Sequence, residues 1–305
     1  MLLKNYKTNF LQELSSLYED QEIESFFYII LEKLHGLKRI DLALNPQTVM
    51  DGVHLKQWKN IISELKKQRP VQYILGETAF YGLSFLVNEN TLIPRPETEE
   101  LVELIIESTN YELRNTKLKV LDIGTGSGCI AISLAKHLPT SEVYAIDVSE
   151  EALVIAKKNN VLNDVKVNFI NVDILKINDL KELPTRSPGS HSPSLPAVRQ
   201  VNTFFDIIVS NPPYVRNLEK AEIKPNVLEY EPHLALFVED TDALLFYRKI
   251  TELAYKNLTP NGKLYFEINQ YLGNETVELV KSFGFKNVKL IKDIYRNDRM
   301  IEGTR

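Results

Sequence analysis

Apolar, strand-like segments alternate with helical segments between Glu97 and Arg305, and this alternation constrains the fold more than any other feature of the sequence. The strand-like segments are LKVLDIG, EVYAIDV, VKVNFINVD, FDIIVSN and GKLYFEIN. Amphipathic segments such as SGCIAISLAKHL and EEALVIAKKNN lie between them. Strands that alternate with helices pair mostly in parallel, because each helix returns the chain to the edge where the next strand begins. The pattern predicts an α/β fold in which helices wrap a mostly parallel sheet.

The first part of the chain has a different periodicity. Apolar residues recur every three to four positions within 10–18, 23–34 and 55–65, which is typical of amphipathic helices. Gly36 follows the second of these stripes at a position that suits a helix C-terminus, and the third stops before Pro70. We therefore expect a small helical bundle.

Composition changes mark the predicted domain bounds. Short β-rich pieces, AFYGLSFLV and TLIP, lie between the helical region and the first α/β segment. We predict an N-terminal helical domain at 1–85, a β-rich linker at 86–100 and a second domain at 101–305. Within the second domain, residues 184–200 are rich in Pro, Ser and Gly without an apolar period, which predicts a low-complexity loop.

Charge and composition argue against several classes of protein. The 305 residues carry a net charge of −5, which argues against binding nucleic acid through overall charge. The single cysteine, Cys129, cannot form an internal disulfide and fits a reducing cytoplasm. The five histidines have no metal-ligand spacing, and no apolar run approaches the roughly 18 residues of a membrane span. We expect a cytoplasmic protein that binds neither a metal nor a membrane.

A glycine-rich segment follows the strand-like residues 118–123. Its glycines let the backbone approach a ligand closely, and the N–H groups of the next helix face that ligand. The spacing is G-x-G-x-G rather than the G-x-G-x-x-G of nicotinamide enzymes, and it resembles the S-adenosylmethionine loop of class I methyltransferases. An ordinary tight turn is the alternative. The candidate cofactor-binding residues are Gly124, Thr125, Gly126, Ser127 and Gly128.

Acidic residues end the next two strand-like segments. Asp147 lies about 20 residues after the glycine loop, the separation expected for an acid that accepts hydrogen bonds from ribose hydroxyls. Asp173 and Ile174 end the third strand, at the edge that flanks the adenine in this fold, where an acid suits the amine and an apolar side chain suits the ring. The alternative for each acid is a helix cap or a turn.

A polar and proline-rich segment, Asn211-Pro212-Pro213-Tyr214, follows the strand-like residues 205–210. It lies at the carboxyl edge of the sheet, where open α/β folds bind ligands. Prolines have no N–H, so this backbone presents carbonyl acceptors. Together with the Asn211 side-chain carbonyl they suit a planar NH₂ group, and Tyr214 would form an aromatic wall. We predict Asn211, Pro212 and Tyr214 as catalytic residues and Asn211 to Tyr214 as the substrate site; a simple proline turn is the alternative.

Together with further segments, this motif resembles the peptide chain release factor glutamine methyltransferases. The segments that carry the resemblance are Pro70–Gly76, Leu92–Glu99, Glu231-Pro232 with Ala235-Leu236, and Gly262–Ile268. The resemblance covers almost the whole chain. It implies a class I S-adenosylmethionine-dependent methyltransferase domain, Rossmann-like, preceded by a small helical bundle.

The resemblance also implies an activity and its partners. Family members transfer a methyl group from S-adenosyl-L-methionine to the side-chain amide nitrogen of the glutamine in the Gly-Gly-Gln motif of class I release factors, and their N-terminal domain helps to dock the factor. By position, the glycine loop, Asp147, Ile174 and Asn211 would contact the cofactor. Asn211 to Tyr214 would hold the glutamine.

The chain departs from the family pattern at three places. The 184–200 segment lengthens a connection that is short in the family. Arg296 stands where glycine is usual, and so does Asn269, although asparagine tolerates a left-handed backbone better than other residues.

Two alternatives stay open at the level of sequence. A methyltransferase acting on adenine or guanine amino groups of nucleic acid would use the same Asn-Pro-Pro-Tyr chemistry, but it would need a concentrated basic surface, whereas the basic residues here are dispersed among acids. A catalytically silent cofactor-binding scaffold is the second alternative, against which the intact Asn211 and Tyr214 argue.

Overall fold

The structure, a computed structural model, describes residues 2–109, 117–183 and 204–305. The low-complexity loop predicted at 184–200 lies outside these residues. The chain forms two compact units. The helical unit comprises Met1–Glu77 and Lys224–Tyr230, and the sheet unit comprises Thr78–Ile223 and Glu231–Arg305. The domain bounds predicted from the sequence remain a proposal.

The helical unit is built around one tryptophan. Its first helices are α1 (Leu3–Leu14), α2 (Asp20–His35), α3 (Arg39–Leu44), α4 (Gly52–Leu65) and α5 (Val71–Leu75). Trp58 of α4 is fully buried, and its ring centroid lies 5.4 Å from that of Phe10 and 5.0 Å from that of Phe27. Gly36 caps the C-terminus of helix α2: its φ of 64° is left-handed, and its N–H donates to Glu32 O. Glycine suits this position because it adopts a left-handed conformation without a steric cost.

The strands and the remaining helices follow in chain order. The strands are β1 (Glu77–Phe80), β2 (Leu83–Leu86), β3 (Lys119–Ile123), β4 (Glu142–Asp147), β5 (Val167–Asn171), β6 (Phe205–Ser210), β7 (Val215–Arg216), β8 (Phe237–Val238), β9 (Leu258–Glu267), β10 (Lys286–Lys292) and β11 (Asp298–Thr304). The helices are α6 (Pro96–Ser108), α7 (Cys129–His137), α8 (Glu150–Leu162), α9 (Pro225–Tyr230), α10 (His233–Leu236), α11 (Leu245–Asn257) and α12 (Gly273–Ser282).

The main sheet confirms the predicted fold class. Seven strands lie in the order β10-β11-β9-β6-β3-β4-β5, and β5, β4, β3, β6 and β9 run parallel to one another. Strands β10 and β11 add an antiparallel hairpin at one edge. The chain order reverses between β3 and β6, and such a switch point opens a crevice at the carboxyl ends of the strands.

Apolar side chains pack on both faces of this sheet. Val120 and Val209 join one buried cluster with α6, α7 and α8, whereas Leu121 and Ile208 join a second cluster with α11. Strands buried on both faces read as continuous apolar runs, which explains the segments seen in the sequence. None of the helices in the described ranges has the length and hydropathy to span a membrane.

Candidate active site

The glycine loop begins where β3 ends. Gly124, Gly126 and Gly128 have φ values of 76°, 54° and 84°, a left-handed backbone that favours glycine. Bonds from the N–H groups of Gly124 and Thr125 to Ile146 O (2.9 and 3.0 Å) tie the loop to β4. Gly128 is the N-cap of α7, so the loop leads directly into a helix N-terminus.

Asp147, at the end of β4, holds the same loop. Its Oδ2 accepts a hydrogen bond from the N–H of Gly126 (2.8 Å) and its Oδ1 accepts one from Ser149 (2.9 Å). Burial raises the pKa of Asp147, and the bonds from backbone N–H groups oppose that rise. Each carboxylate oxygen has a second lone pair, so Asp147 can still accept from a ligand.

Asp173 and Ile174 follow the end of β5. Asp173 Oδ1 accepts from the N–H of Leu175 (3.0 Å), and Oδ2 lies 3.2 Å from the ammonium of Lys176. Ile174 is buried. The acid and its apolar neighbour thus lie together at the carboxyl edge of the sheet.

The Asn-Pro-Pro-Tyr segment lies directly against the glycine loop. Strand β6 ends at Ser210, which pairs with Ile123 of β3 and donates a hydrogen bond to Ile123 O (2.7 Å). The backbone O of Asn211 lies 4.0 Å from the position that a Cβ would occupy at Gly124. The switch point therefore brings the two motifs to one place.

One open cavity of about 230 Å³ contains most of the predicted site. The predicted residues that line it are Gly124, Thr125, Gly126, Ser127, Asp147, Asp173, Ile174, Asn211, Pro212 and Pro213. Gly128 and Tyr214 are not among the residues that line it. Gly128 is the N-cap of α7, and the Tyr214 hydroxyl donates to Glu267 Oε1 (3.1 Å).

Behind Asn211 lies a chain of hydrogen bonds that the sequence did not predict. Asn211 Nδ2 donates to Thr98 Oγ1 (3.3 Å), and Thr98 Oγ1 donates to Glu267 Oε2 (2.6 Å). Thr98 is 2% exposed and Glu267 is 1% exposed. Burial raises the pKa of Glu267, whereas the bond from Thr98, the charge of Arg299 and the bond from Tyr214 lower it. Burial and the Glu267 charge also raise the pKa of Tyr214.

Strand register was the one signal that could have found Glu267. Ser210 pairs with Phe266 of β9, so the next residues, Asn211 and Glu267, are neighbours at the sheet edge. Thr98 and Glu267 both lie in segments that carry the family resemblance, yet neither segment has a local feature that indicates contact with Asn211.

A second buried acid holds the loop before α6. Glu231 Oε1 accepts from the Arg95 guanidinium (2.5 Å), and Oε2 accepts from the N–H of Ile93 (3.1 Å). Pro94 and Arg95 line the cavity. Residues of TLIP, predicted as β-rich, form no strand here; the N–H of Ile93 donates to Glu231 and the N–H of Thr91 donates to Asn88 O.

The two departures from the family pattern differ in backbone conformation. Arg296 has a φ of 68°, the left-handed conformation in which glycine is usual. Asn269 has a φ of −64°, so the left-handed backbone considered for this position is wrong. Its buried side chain donates to Tyr214 O (3.0 Å) and Glu219 Oε2 (2.8 Å), a role that a glycine cannot fill.

No group of three or more His, Cys, Asp or Glu side chains that could hold a metal occurs in the described part of the chain.

Comparison with known proteins gives matches along the whole chain. A family model described as "Methyltransferase domain" matches residues 114–281, and one described as "PrmC N-terminal domain" matches residues 7–76. A Flavobacterium psychrophilum protein named release factor glutamine methyltransferase is 62% identical over 303 residues, covering 99% of this chain and 99% of that protein. A Bacteroides thetaiotaomicron protein of the same name is 42% identical over 294 residues, covering 96% and 97%.

A solved structure also has this fold. The catalytic domain of hMettl16, in complex with a 3′UTR hairpin, superimposes with a TM-score of 0.50 at 18% identity, covering 73% of this chain and 75% of that chain. At this level of identity the likeness concerns the fold alone.

Proposed function

The chain belongs to the release factor glutamine methyltransferase family, and on that premise we propose that it methylates the side-chain amide nitrogen of the glutamine in the Gly-Gly-Gln motif of class I release factors. The observation that carries this activity is that the glycine loop and Asn211 line the same cavity at the switch point of the sheet. It brings a cofactor loop and a set of carbonyl acceptors into one cavity.

The residues of the cavity fit S-adenosyl-L-methionine. A Cβ added at Gly126 would meet nothing within 4 Å, so the loop is open to a ligand on that side. The glycine loop, residues 124–128, would hold the cofactor through its backbone. Asp147 would accept hydrogen bonds from the ribose, Asp173 would accept one from the adenine amine, and Ile174 would pack on the ring.

Asn211, Pro212 and Pro213 suit the substrate amide. Asn211 Nδ2 is bonded to Thr98, and Asn211 Oδ1 has no hydrogen-bond partner among the described residues. The two prolines bring carbonyl oxygens without competing N–H donors. We propose that these acceptors hold both N–H bonds of the glutamine side chain and that the Tyr214 ring borders the same pocket.

Holding both N–H bonds addresses the main chemical difficulty. An amide nitrogen is a weak nucleophile because its lone pair is delocalised into the carbonyl. Acceptors on both N–H bonds direct the lone pair toward the methyl carbon and stabilise the positive charge that develops on nitrogen. S-Adenosylmethionine supplies the methyl group on a sulfonium, whose sulfur retains the electron pair of the broken C–S bond. The nitrogen then loses one proton to solvent, so no strong base is needed.

The remaining parts of the proposal concern partner and location. We propose that the helical unit, most of which the N-terminal family model matches, helps to dock the release factor. The cytoplasmic location expected from the single cysteine agrees with a substrate that acts in translation.

Labelled methyl transfer to three acceptors tests the activity. The purified chain is incubated with labelled S-adenosylmethionine and a class I release factor, its Gly-Gly-Gln Gln→Ala variant, or total nucleic acid. We expect label on the release factor and none on the variant or the nucleic acid. Label on nucleic acid alone would overturn the proposed substrate.

A further inference from the structure

The amide group of Asn211 can face the cavity in two ways, and only one suits an N–H substrate. An asparagine amide has a carbonyl oxygen that accepts hydrogen bonds and an NH₂ that donates them. Nδ2 donates to Thr98 Oγ1 at 3.3 Å, which leaves Oδ1 for the cavity. A rotation by 180° would present NH₂ to the substrate nitrogen, and the amide could then accept nothing from it.

Thr98 can only accept from Asn211. A threonine hydroxyl has one proton, and Thr98 donates it to Glu267 Oε2, which lies 2.6 Å from Oγ1. In its ionised form the Glu267 carboxylate accepts and never donates, so Thr98 is the donor in this bond. Thr98 Oγ1 therefore presents only lone pairs to Asn211, and these select the NH₂ side of the amide.

Glu267 is held so that it cannot turn away from Thr98. Its other oxygen, Oε1, accepts from the Tyr214 hydroxyl at 3.1 Å. The carboxyl group lies at the end of β9, where the pairing of Ser210 with Phe266 sets it beside Asn211. Burial raises the pKa of this carboxyl, whereas the bond from Thr98 and the positive charge of Arg299 favour its ionised form. The side chain is 1% exposed, so water does not compete for its oxygens.

On the basis of the proposed function, we infer that Glu267 and Thr98 are positioning residues that set the polarity of the Asn211 amide. The carboxylate orients the hydroxyl, the hydroxyl orients the amide, and Asn211 Oδ1 thereby faces the N–H of the substrate nitrogen. The two residues act through Asn211 rather than on the reacting atoms.

Three variants and one matched control test this inference. Thr98→Val removes the hydroxyl at nearly constant shape, and Thr98→Ser keeps it. Glu267→Gln replaces a carboxylate, which only accepts hydrogen bonds, with an amide that can also donate them. Thr276→Val is the control, because Thr276 is fully buried on α12 and its hydroxyl bonds only to Leu272 O (2.7 Å) among the described residues. For each protein, kcat and KM for release factor methylation and the Kd for S-adenosylmethionine are measured.

We expect Thr98→Val to lower kcat by about 10- to 100-fold, since a misdirected acceptor costs alignment at the reacting nitrogen. The Kd for the cofactor should stay within about threefold, because the glycine loop and Asp147 are unchanged. Thr98→Ser should restore kcat to within about threefold of the native chain, and Thr276→Val should leave it unchanged.

Combining the variants separates a positioning chain from general damage. Residues that act in series give non-additive losses, so adding Glu267→Gln to Thr98→Val should change kcat less than about threefold. A native kcat in a folded Thr98→Val protein, or no recovery in Thr98→Ser, overturns the inference while the proposed function stands. A native chain that leaves the release factor unmethylated overturns both.

Discussion

Two carboxylates buried in the sheet unit, Asp122 and Glu267, are held in different ways. Both are 0–1% exposed, but Glu267 accepts side-chain hydrogen bonds on both oxygens, whereas Asp122 accepts one such bond, from Thr125 to Oδ2 (2.6 Å). Burial raises the pKa of Asp122 to about 7, and the charge of Asp147 adds to the rise. Asp122 therefore titrates near neutral pH in the folded chain.

This carboxyl makes a pH-dependent contribution to stability. Because its folded pKa lies above the unfolded value of 3.8, the folded state keeps a proton that the unfolded state loses, and stability falls as pH rises from about 4 to 7. Asp122→Asn removes this dependence. Urea unfolding at pH 5 and pH 8 should show the variant gaining about 2–3 kcal/mol relative to the native chain at the higher pH. An equal difference at both pH values would contradict the assignment.

Arg296 carries a left-handed backbone that its side chain does not favour. Its φ is 68° and its side chain is exposed, so Arg296→Gly removes a steric cost of about 1–2 kcal/mol and adds a smaller entropic one. We expect a gain of up to about 1 kcal/mol, measured as a higher melting temperature. Tyr295→Gly, at the exposed neighbour without a positive φ, should lower it. A lower melting temperature for Arg296→Gly would show that the turn is not strained.

Substitution of Asp147 should mainly weaken cofactor binding, whereas substitution of Asn211 should mainly lower turnover. Asp147→Ala removes the acceptor that holds Gly126, and we expect the Kd for S-adenosylmethionine, measured calorimetrically, to rise at least about tenfold. Asn211→Ala removes the acceptor that we propose for the substrate amide, and we expect kcat to fall by about 10²–10³-fold with little change in melting temperature. If both variants simply unfold to a similar extent, the roles assigned here are wrong.

Residues of the site differ in how far the sequence could predict them. The glycine loop and Asn211 to Tyr214 are contiguous motifs, so their residue types and spacing carry the signal locally. Thr98 and Glu267 are 169 positions apart, and they meet only because helix α6 packs against the end of β9. Asn269 adds a case in which the residue type suggested a backbone conformation, whereas its side chain is used for hydrogen bonds.

At the scale of elements, the start of α7 depends on close packing against α8. A Cβ at Gly128 would lie 2.9 Å from Ile132 Cδ1 and 3.2 Å from Ala156 Cβ. Gly128→Ala should therefore combine backbone strain with overpacking and destabilise the sheet unit by about 2–4 kcal/mol, measured by urea unfolding without cofactor.

Gly126→Ala is the matched control for this prediction. Gly126 also has a positive φ, but an added Cβ would meet nothing within 4 Å, so only the backbone cost of about 1–2 kcal/mol applies. Equal destabilisation by the two substitutions would show that the packing of α7 on α8 does not require glycine.

The central strands were predictable, whereas the edge hairpin was not. Strands β3, β4, β6 and β9 are buried on both faces and read as apolar runs. Strand β10 lies at the sheet edge and β11 carries Glu302, which is buried between Lys263 (2.7 Å) and Lys289 (3.1 Å). Charged residues that pair within a sheet make a strand hard to recognise from its sequence. They interrupt the alternation of apolar and polar residues at positions where a salt bridge takes the place of an apolar contact.

At the scale of the whole molecule, the sequence order conceals one part of the helical unit. Residues Lys224–Tyr230 cluster with Met1–Glu77, and the Tyr230 hydroxyl donates to Lys67 O (2.9 Å). The fold class could be predicted because strand and helix alternation is a local property. The return of Lys224–Tyr230 to a unit formed far upstream could not be predicted, since nothing in the composition of this segment indicates that it packs with the N-terminal helices.

The most direct test of the central claim is to locate the methyl group on the product. Release factor treated with the chain and S-adenosylmethionine is digested, and the Gly-Gly-Gln peptide is sequenced by tandem mass spectrometry. A parallel reaction with the Asn211→Ala variant is the control. We predict one added methyl group on the glutamine side-chain nitrogen with the native chain and almost none with the variant. Methylation at any other residue, or an unmodified glutamine in a reaction that consumes the cofactor, would contradict the account.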